Sequence, residues 1–203
     1  MAVAIVRRTL LLPAMLALLA VLAGFAGGGR AASDFSVRTE KRGNEVHVDA
    51  HATLNVPLQL IWEALTDYNH LPDFIPGINK SRLIEYRGTA AIVEQLGEAG
   101  FLFFRVPIDV VVESLELAPH VIEVRVLKGN LKKLDGRYQI DVGATPADPI
   151  VLRWRGVIEP EKTLPPLFGE MILRSNVTDQ FRGMVREIER RHARSGGTEA
   201  LSK

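Results

Sequence analysis

The chain has 203 residues, a length that suits one folded domain behind a targeting segment. It carries 25 basic and 24 acidic residues, and three of the basic ones lie before residue 33. The remainder is therefore slightly acidic and lacks the basic excess that is typical of nucleic-acid binders. There is no cysteine, which excludes disulfides, thiol catalysis and thiolate metal sites.

Residues 1–32 have the layout of a bacterial secretory signal peptide. A short basic segment precedes an apolar stretch from Leu10 to Ala26, and small residues follow. An uncleaved membrane anchor is the alternative, but the stretch is short for a spanning helix and Pro13 interrupts it. We therefore expect an exported, periplasmic protein.

The mature chain is predicted to open with a flexible lead-in over residues 33–44. One domain is expected over residues 45–193, and a disordered tail over residues 194–203. From Glu45 to Thr53, apolar and polar residues alternate, which is typical of a half-buried strand. Two short helices are expected next. The first follows Pro57 and the second lies within residues 71–76.

A long all-β stretch comes next, because apolar residues recur at every second position in successive segments. A hairpin is expected about Gly88, and the later segments are joined by short turns. This pattern predicts an antiparallel meander with one apolar face. The even-numbered residues of the segments near Ile108, Val124, Tyr138 and Trp154 belong to that face.

The apolar face of the sheet must be covered, and residues 167–192 can cover it as a long helix. One side of this helix is predicted to carry an apolar stripe: Phe168, Met171, Ile172, Val177, Phe181, Met184, Val185 and Ile188. The other side carries basic residues, for which a solvated surface is expected. Transient docking on anionic lipid is the alternative.

The predicted fold class is α+β, a helix-grip in which a curved antiparallel sheet of six or seven strands wraps a long C-terminal helix. Two short helices follow its first strand. We expect a cavity towards the open end of the sheet. Gly136 and Gly156 face inward there, either to leave that space or to let the long helix approach closely. The predicted ligand-contacting residues are Phe104, Ile108, Val124, Tyr138, Trp154, Phe168 and Ile172.

The segment Val56–Pro76, with its Trp62, its Thr66-Asp67-Tyr68 and its proline-bounded Phe74, resembles the opening of START-like (SRPBCC) proteins. The resemblance is strongest to the polyketide cyclase/dehydrase and coenzyme Q-binding branches, and it extends over residues 45–192. It implies the helix-grip fold and a hydrophobic ligand. It does not identify the ligand, since lipid carriers, quinone binders and cyclases share this fold.

Polar residues offer few candidates for catalysis. His47 and His51 share a strand face but lie about 13 Å apart, too far for one metal ion, so we expect a solvated face and no metal. Asp67 is interpreted as a residue that caps a neighbouring backbone or pairs with a basic residue where its helix ends, with a general base as the alternative. Arg105 is expected on the wet face of its strand. Tyr138 is the one polar group predicted to point inward, and a core tyrosine bonded to the protein is expected there ahead of one that contacts a ligand.

Three functions remain at this point. The preferred hypothesis is an exported binder or carrier of a lipid, quinone or polycyclic compound, without cofactor or metal and without nucleic acid. The second is a cyclase- or aromatase-type enzyme that uses Asp67 or Tyr138. The third is an interaction module whose interior is too small for a ligand. The protein partner, if one exists, is not identified by the sequence.

Overall fold

The computed structural model describes residues 34–101, 104–145, 147–162 and 169–200. Within them, eight strands form one antiparallel sheet in the order β1-β2-β8-β7-β6-β5-β4-β3. The strands are β1 Phe35–Arg42, β2 Glu45–Leu54, β3 Ile78–Arg87, β4 Ala90–Phe101, β5 Phe104–Leu117, β6 Val121–Gly129, β7 Leu131–Asp141 and β8 Ile150–Pro160. The helices are α1 Leu58–Leu65, α2 Leu71–Phe74 and α3 Gly169–Ala200, with a 3-10 turn at Tyr68–His70 before α2.

The helix-grip prediction is confirmed. The helix α3 packs against β4 near one edge of the sheet and against β1 and β2 at the other, and α1 lies beside it. The hairpin about Gly88 is present as β3 and β4, and Gly88 has the positive φ of 63° that this turn requires. Among the described residues, no helix is long and apolar enough to cross a bilayer.

Two predicted boundaries were wrong. Residues 35–42, expected to be a flexible lead-in, form the edge strand β1, which pairs in register with β2 from Phe35 opposite Ala52 to Arg42 opposite Glu45. The sheet therefore has eight strands, and the short helices follow its second strand. The predicted disordered tail is also helical as far as Ala200, because α3 continues past the domain core.

Alternation along the strands places the core. In β2, every second residue from Val46 to Leu54 is buried, and in β8 Leu152, Trp154 and Ile158 are buried. On α3 the predicted apolar stripe is buried from Ile172 to Ile188. Met171, which precedes this part of the stripe, is 39% exposed. Leu173, which was not predicted, is buried beside Ile172.

Candidate functional site

A cavity of about 430 Å³ lies between the concave face of the sheet and α3. Strands β3 to β8 supply its floor and sides, while the first half of α3 and the segment from Leu65 to Ile75 close it from above. Most of the lining side chains are aliphatic or aromatic. The volume falls within the range of about 300 to 1,000 Å³ that is usual for small-molecule sites. The geometry therefore argues against the third hypothesis, an interaction module whose interior is too small for a ligand.

The structure brings together five of the seven predicted ligand-contacting residues. Ile108, Val124, Tyr138, Trp154 and Ile172 all line this cavity, from β5, β6, β7, β8 and α3. Phe168 lies outside the described residues. The backbone of Phe104 begins β5, but its side chain is also outside the described part. Contact of these residues with a ligand stays a prediction.

The two inward glycines serve a purpose that the sequence did not reveal. Gly136 and Gly156 are directly opposite each other on β7 and β8. A Cβ on Gly136 would lie 3.1 Å from Nε1 of Trp154, and one on Gly156 would lie 2.9 Å from its Cζ2. The indole ring of Trp154 therefore occupies the space beside the two glycines. The sequence had suggested either an empty space or the long helix at this position.

Tyr138 is placed beside that indole. It pairs with Trp154 across β7 and β8, and the two ring centroids are 6.3 Å apart. Burial raises the pKa of Tyr138 to about 12, so its hydroxyl stays protonated at neutral pH. This hydroxyl makes no hydrogen bond with the described residues, although a buried phenol usually finds a partner. It is available to a ligand.

Four amide side chains of the lining were missed by the sequence analysis, and one of them, Asn130, is hydrogen-bonded to the backbone of Pro107 and Asp109. Gln95 lies on the inner face of β4, between the buried Val93 and Ala99. Asn176 and Gln180 lie one turn apart on α3, where their spacing of four residues places them on the cavity side. The strand parity of β4 could have found Gln95. The two α3 residues had no such signal, because polar residues on a helix usually face water.

A second phenol, that of Tyr68, also lines the cavity. The Tyr68 hydroxyl donates a hydrogen bond to Oε1 of Glu116 at 2.9 Å, and Tyr86 donates to the same oxygen from outside at 3.2 Å. Burial, together with the charge of Glu116, raises the pKa of Tyr68 far above its usual value. Tyr68 therefore acts as a fixed donor to Glu116, and it is not a base.

Asp67 does not line the cavity. Its carboxylate accepts from Arg191 at 2.7 Å and contacts Nδ1 of His70 at 2.6 Å. Burial raises the pKa of Asp67, but the hydrogen bonds and charges of His70 and Arg191 outweigh burial and hold it below the usual value. Arg191 also contacts Glu187, which is buried. The interpretation of Asp67 as a partner of a basic residue is thus confirmed, and this network joins the turn before α2 to α3.

The other polar candidates are paired on the outer surface. His47 contacts Glu45, His51 contacts Asp34, and Asp49 accepts from Arg155. In the part of the chain that the structure describes, no three histidine or carboxylate side chains are grouped as a metal site would need. Arg105 is exposed beside Glu98, on the wet face as predicted.

The basic side of α3 is only partly free. Arg190 and Arg191 pair with Glu187, and Arg182 lies over the ring of Phe35 with its Cζ 5.2 Å from the centroid. Arg186 is exposed. Arg182 and Arg191 therefore hold α3 to the rest of the domain, whereas Arg190 is paired within α3.

Comparison with known proteins places this architecture. Residues 45–193 match the family model described as polyketide cyclase / dehydrase and lipid transport. The chain belongs to this family. A search of curated proteins finds no match.

Solved structures of the same fold include an aromatase/cyclase and a lipid transfer protein. The Zhui aromatase/cyclase from Streptomyces sp. R1128 superposes with a TM-score of 0.60 at 16% identity, over 74% of this chain and 94% of that one. A STAR-related lipid transfer protein fragment from Xanthomonas axonopodis gives 0.56 at 13% identity, over 76% and 98%. A START superfamily protein from Mycobacterium smegmatis gives 0.57 at 13% identity, over 73% and 97%. At these identities the likeness establishes the START fold.

Proposed function

We propose that the protein is an exported, periplasmic binding or carrier protein for a hydrophobic small molecule such as a lipid, a quinone or a polycyclic compound. The observation that carries the proposal is the cavity of about 430 Å³ with its largely apolar walls. Removing apolar ligand surface from water drives such binding at about 25 cal/mol per Å². The signal-like residues 1–32, which lie outside the described residues, support export.

The polar groups of the lining favour a carrier over an enzyme. The charged side chains among the described lining residues are Glu161 and Lys162, and both are exposed. Asp67 is held in ion pairs outside the cavity. General acid–base catalysis needs a titratable group within reach of the substrate, and the interior offers phenols that are protonated at neutral pH.

Binding can be tested on protein expressed with its own N-terminal segment and purified from the periplasmic fraction. Mass spectrometry of the organic extract should detect a co-purified hydrophobic molecule, and the neutral dye Nile red should bind saturably. Absence of the protein from the periplasm would contradict export. Absence of both bound lipid and dye binding would contradict the carrier function.

A matched pair of variants on β6 locates the binding to the cavity. Val124→Phe adds a ring inside the cavity, whereas Leu127→Phe adds one on the exposed outer face. We expect the inner variant to lose dye and ligand binding about tenfold or more, because the added ring takes up ligand volume, while the outer variant binds normally. Equal affinities of the two variants would place the ligand elsewhere.

An enzyme of the cyclase or aromatase type is the second candidate, and the free Tyr138 hydroxyl is the observation that favours it. Such a hydroxyl could donate to a substrate carbonyl and stabilise charge that develops on its oxygen. Conversion of an aromatic polyketide substrate that is lost in Tyr138→Phe, with folding intact, would establish this function. Turnover that is unchanged in Tyr138→Phe would exclude that role.

A further inference from the structure

The two edges of the sheet are protected to different degrees. Strand β3 forms one edge, and its pairing with β4 shifts register at two places. The backbone amide of Leu83 at this edge donates to Oδ1 of Asn69, and the 3-10 turn packs against the strand. Bulges and covering segments of this kind keep an edge strand from pairing with another chain.

Strand β1 forms the other edge, and it is regular along its whole length. Its eight residues include no proline, and they pair with β2 without any shift of register. Among the described residues, no strand pairs with its other side. A long and regular edge strand can accept a further strand.

The alternation of hydrogen bonds shows which backbone groups of β1 face this open edge. The Thr53 amide donates to the Asp34 carbonyl at 2.9 Å. Because hydrogen-bonded and non-hydrogen-bonded pairs alternate in an antiparallel ladder, the even-numbered residues of β1 direct their backbone groups to β2. The amides and carbonyls of the odd-numbered residues from Phe35 to Lys41 therefore point to the open edge.

Thr39 lies at the centre of this edge with its side chain on the concave face of the sheet, opposite Val48. Its Oγ1 is buried and has no hydrogen-bond partner among the described residues. Buried hydroxyls without a partner are uncommon in folded proteins. A strand that is added at this edge with a hydroxyl opposite Thr39 would supply the missing partner.

A second copy of β1 is such a strand. A two-fold axis perpendicular to the sheet makes the two strands antiparallel and can place Thr39 of one copy opposite Thr39 of the other. The two hydroxyls then lie side by side on the concave face, where threonine pairs hydrogen-bond across strands. The same register places Arg38 of each copy opposite Glu40 of the other on the outer face.

Charge favours this register over its neighbours. Arg38 is exposed and makes no ion pair within the described residues, and Glu40 is exposed beside Arg42. A shift of two residues would place Arg38 opposite Arg38 in one direction and Glu40 opposite Glu40 in the other, and like charges directly opposite each other are destabilising. A shift of one residue would put the apolar face of one copy on the wet side of the other.

We propose that the protein forms a two-fold homodimer in which the β1 strands of two copies pair antiparallel about Thr39 and join the two sheets into one. This inference goes beyond the proposed binding function and does not depend on it. Each protomer keeps its own cavity, because no residue of β1 contributes to the described lining.

Sedimentation velocity over a series of concentrations tests the association, on protein prepared as for the binding test. We expect a reversible equilibrium between monomer and dimer and no larger assembly, because the two-fold pairing uses the open edge of both copies. Protein that is still monomeric at about 1 mM would refute the dimer. Association that continues beyond the dimer would refute the two-fold pairing.

Charge reversal tests the register. Arg38→Glu and Glu40→Arg each replace two attractive contacts of the dimer with two repulsive ones, so each dissociation constant should rise about tenfold or more. In an equimolar mixture of the two variants every arginine faces a glutamate, and the mixture should associate about as tightly as wild type. The same charge change on the other edge strand, Arg87→Glu, is the matched control and should leave association unchanged.

A backbone change tests the centre of the interface. Thr39→Pro removes an edge-facing amide without removing a hydrogen bond to β2, and it should weaken the dimer about tenfold, because two hydrogen bonds are lost across the two-fold axis. Circular dichroism and thermal melting establish that each variant is folded.

The contrary results are distinct from failure of the binding function. A dimer that the charge-reversal variants or Thr39→Pro leave unchanged would lie on another surface. Weakened single variants whose mixture stays monomeric would refute the pairing about Thr39. In each of these cases the dimer proposal falls, while dye and ligand binding are measured separately and are unaffected.

Discussion

Two regions of the same sheet–helix interface are packed differently. In the packed region, formed by the inner face of β2, α1 and the second half of α3, small side chains such as Ala50, Ala52 and Ala64 are fully buried and do not line the cavity. Gly183 of α3 contacts the Phe74 carbonyl so closely that a Cβ could not be accommodated. In the cavity region, formed by β4 to β8 and the first half of α3, larger aliphatic and aromatic side chains surround unfilled space.

This difference shows that residue size does not by itself decide where space is left. Small residues in the packed region let the helices approach the sheet, and close packing follows. Helix α3 packs on the sheet at β4 and at β1 and β2. The larger residues of the strands in between face unfilled space. We infer that stability is concentrated in the first region and binding in the second.

The largest expected effect tests that division. Ile188→Ala removes a fully buried side chain from the packed region and should lower the free energy of unfolding by about 2–5 kcal/mol in chemical denaturation. Ile108→Ala removes the same atoms from the wall of an existing cavity and should cost much less, while still binding ligand. Equal losses in the two variants would contradict the division.

A smaller effect is expected at the glycine pair. Gly156→Ala places a Cβ 2.9 Å from both the Asp135 carbonyl and the Trp154 ring, so we expect a loss of about 1–3 kcal/mol and a shifted Trp154 emission. The emission is measured in a Trp62→Phe background, which leaves one tryptophan. Gly196→Ala, where nothing lies within 4 Å of the new Cβ, is the control and should not lower stability. Unchanged stability and emission in Gly156→Ala would mean that the Trp154 indole does not pack against Gly156.

The smallest effect concerns the network that joins α3 to the turn before α2. Asp67→Asn should cost about 1–2 kcal/mol at pH 7, because Asp67 loses charged hydrogen bonds to Arg191 and His70. The folded-state pKa of Asp67 is lowered, so this contribution is present above its ordinary pKa of 3.8 and is lost as the pH falls through the lower folded value. Denaturation at a series of pH values should therefore show the stabilities of wild type and variant converging as the pH falls below 3.8 and through the lowered folded-state pKa.

The exposed Asp73→Asn is the control for this change and should show no such convergence. The hydrogen bond and charge of Asp67 also raise the pKa of His70, so a histidine titration followed by NMR should give a lower pKa for His70 in Asp67→Asn. A His70 pKa that stays the same in the variant would show that the pair does not form in solution.

Much of the fold could be predicted from the sequence, because period-two and helical patterns report directly which face of an element is buried. Five of the seven predicted residues are at the cavity for that reason. The edge strand β1 was missed because its outer half is exposed, so its alternation is weak, and its order comes from pairing with β2. The continuation of α3 to Ala200 was missed because Gly196 and Gly197 are unfavourable in helices.

The sequence by itself determined the antiparallel meander, the covering helix, the family resemblance and the apolar character of the interior, since these depend on local periodicity and composition. Only the tertiary structure decided how much space remains, that Trp154 rests on Gly136 and Gly156, and that Gln95, Asn176 and Gln180 face the same cavity as Tyr138. These facts depend on sheet curvature and on contacts between residues distant in the chain, which no local pattern records.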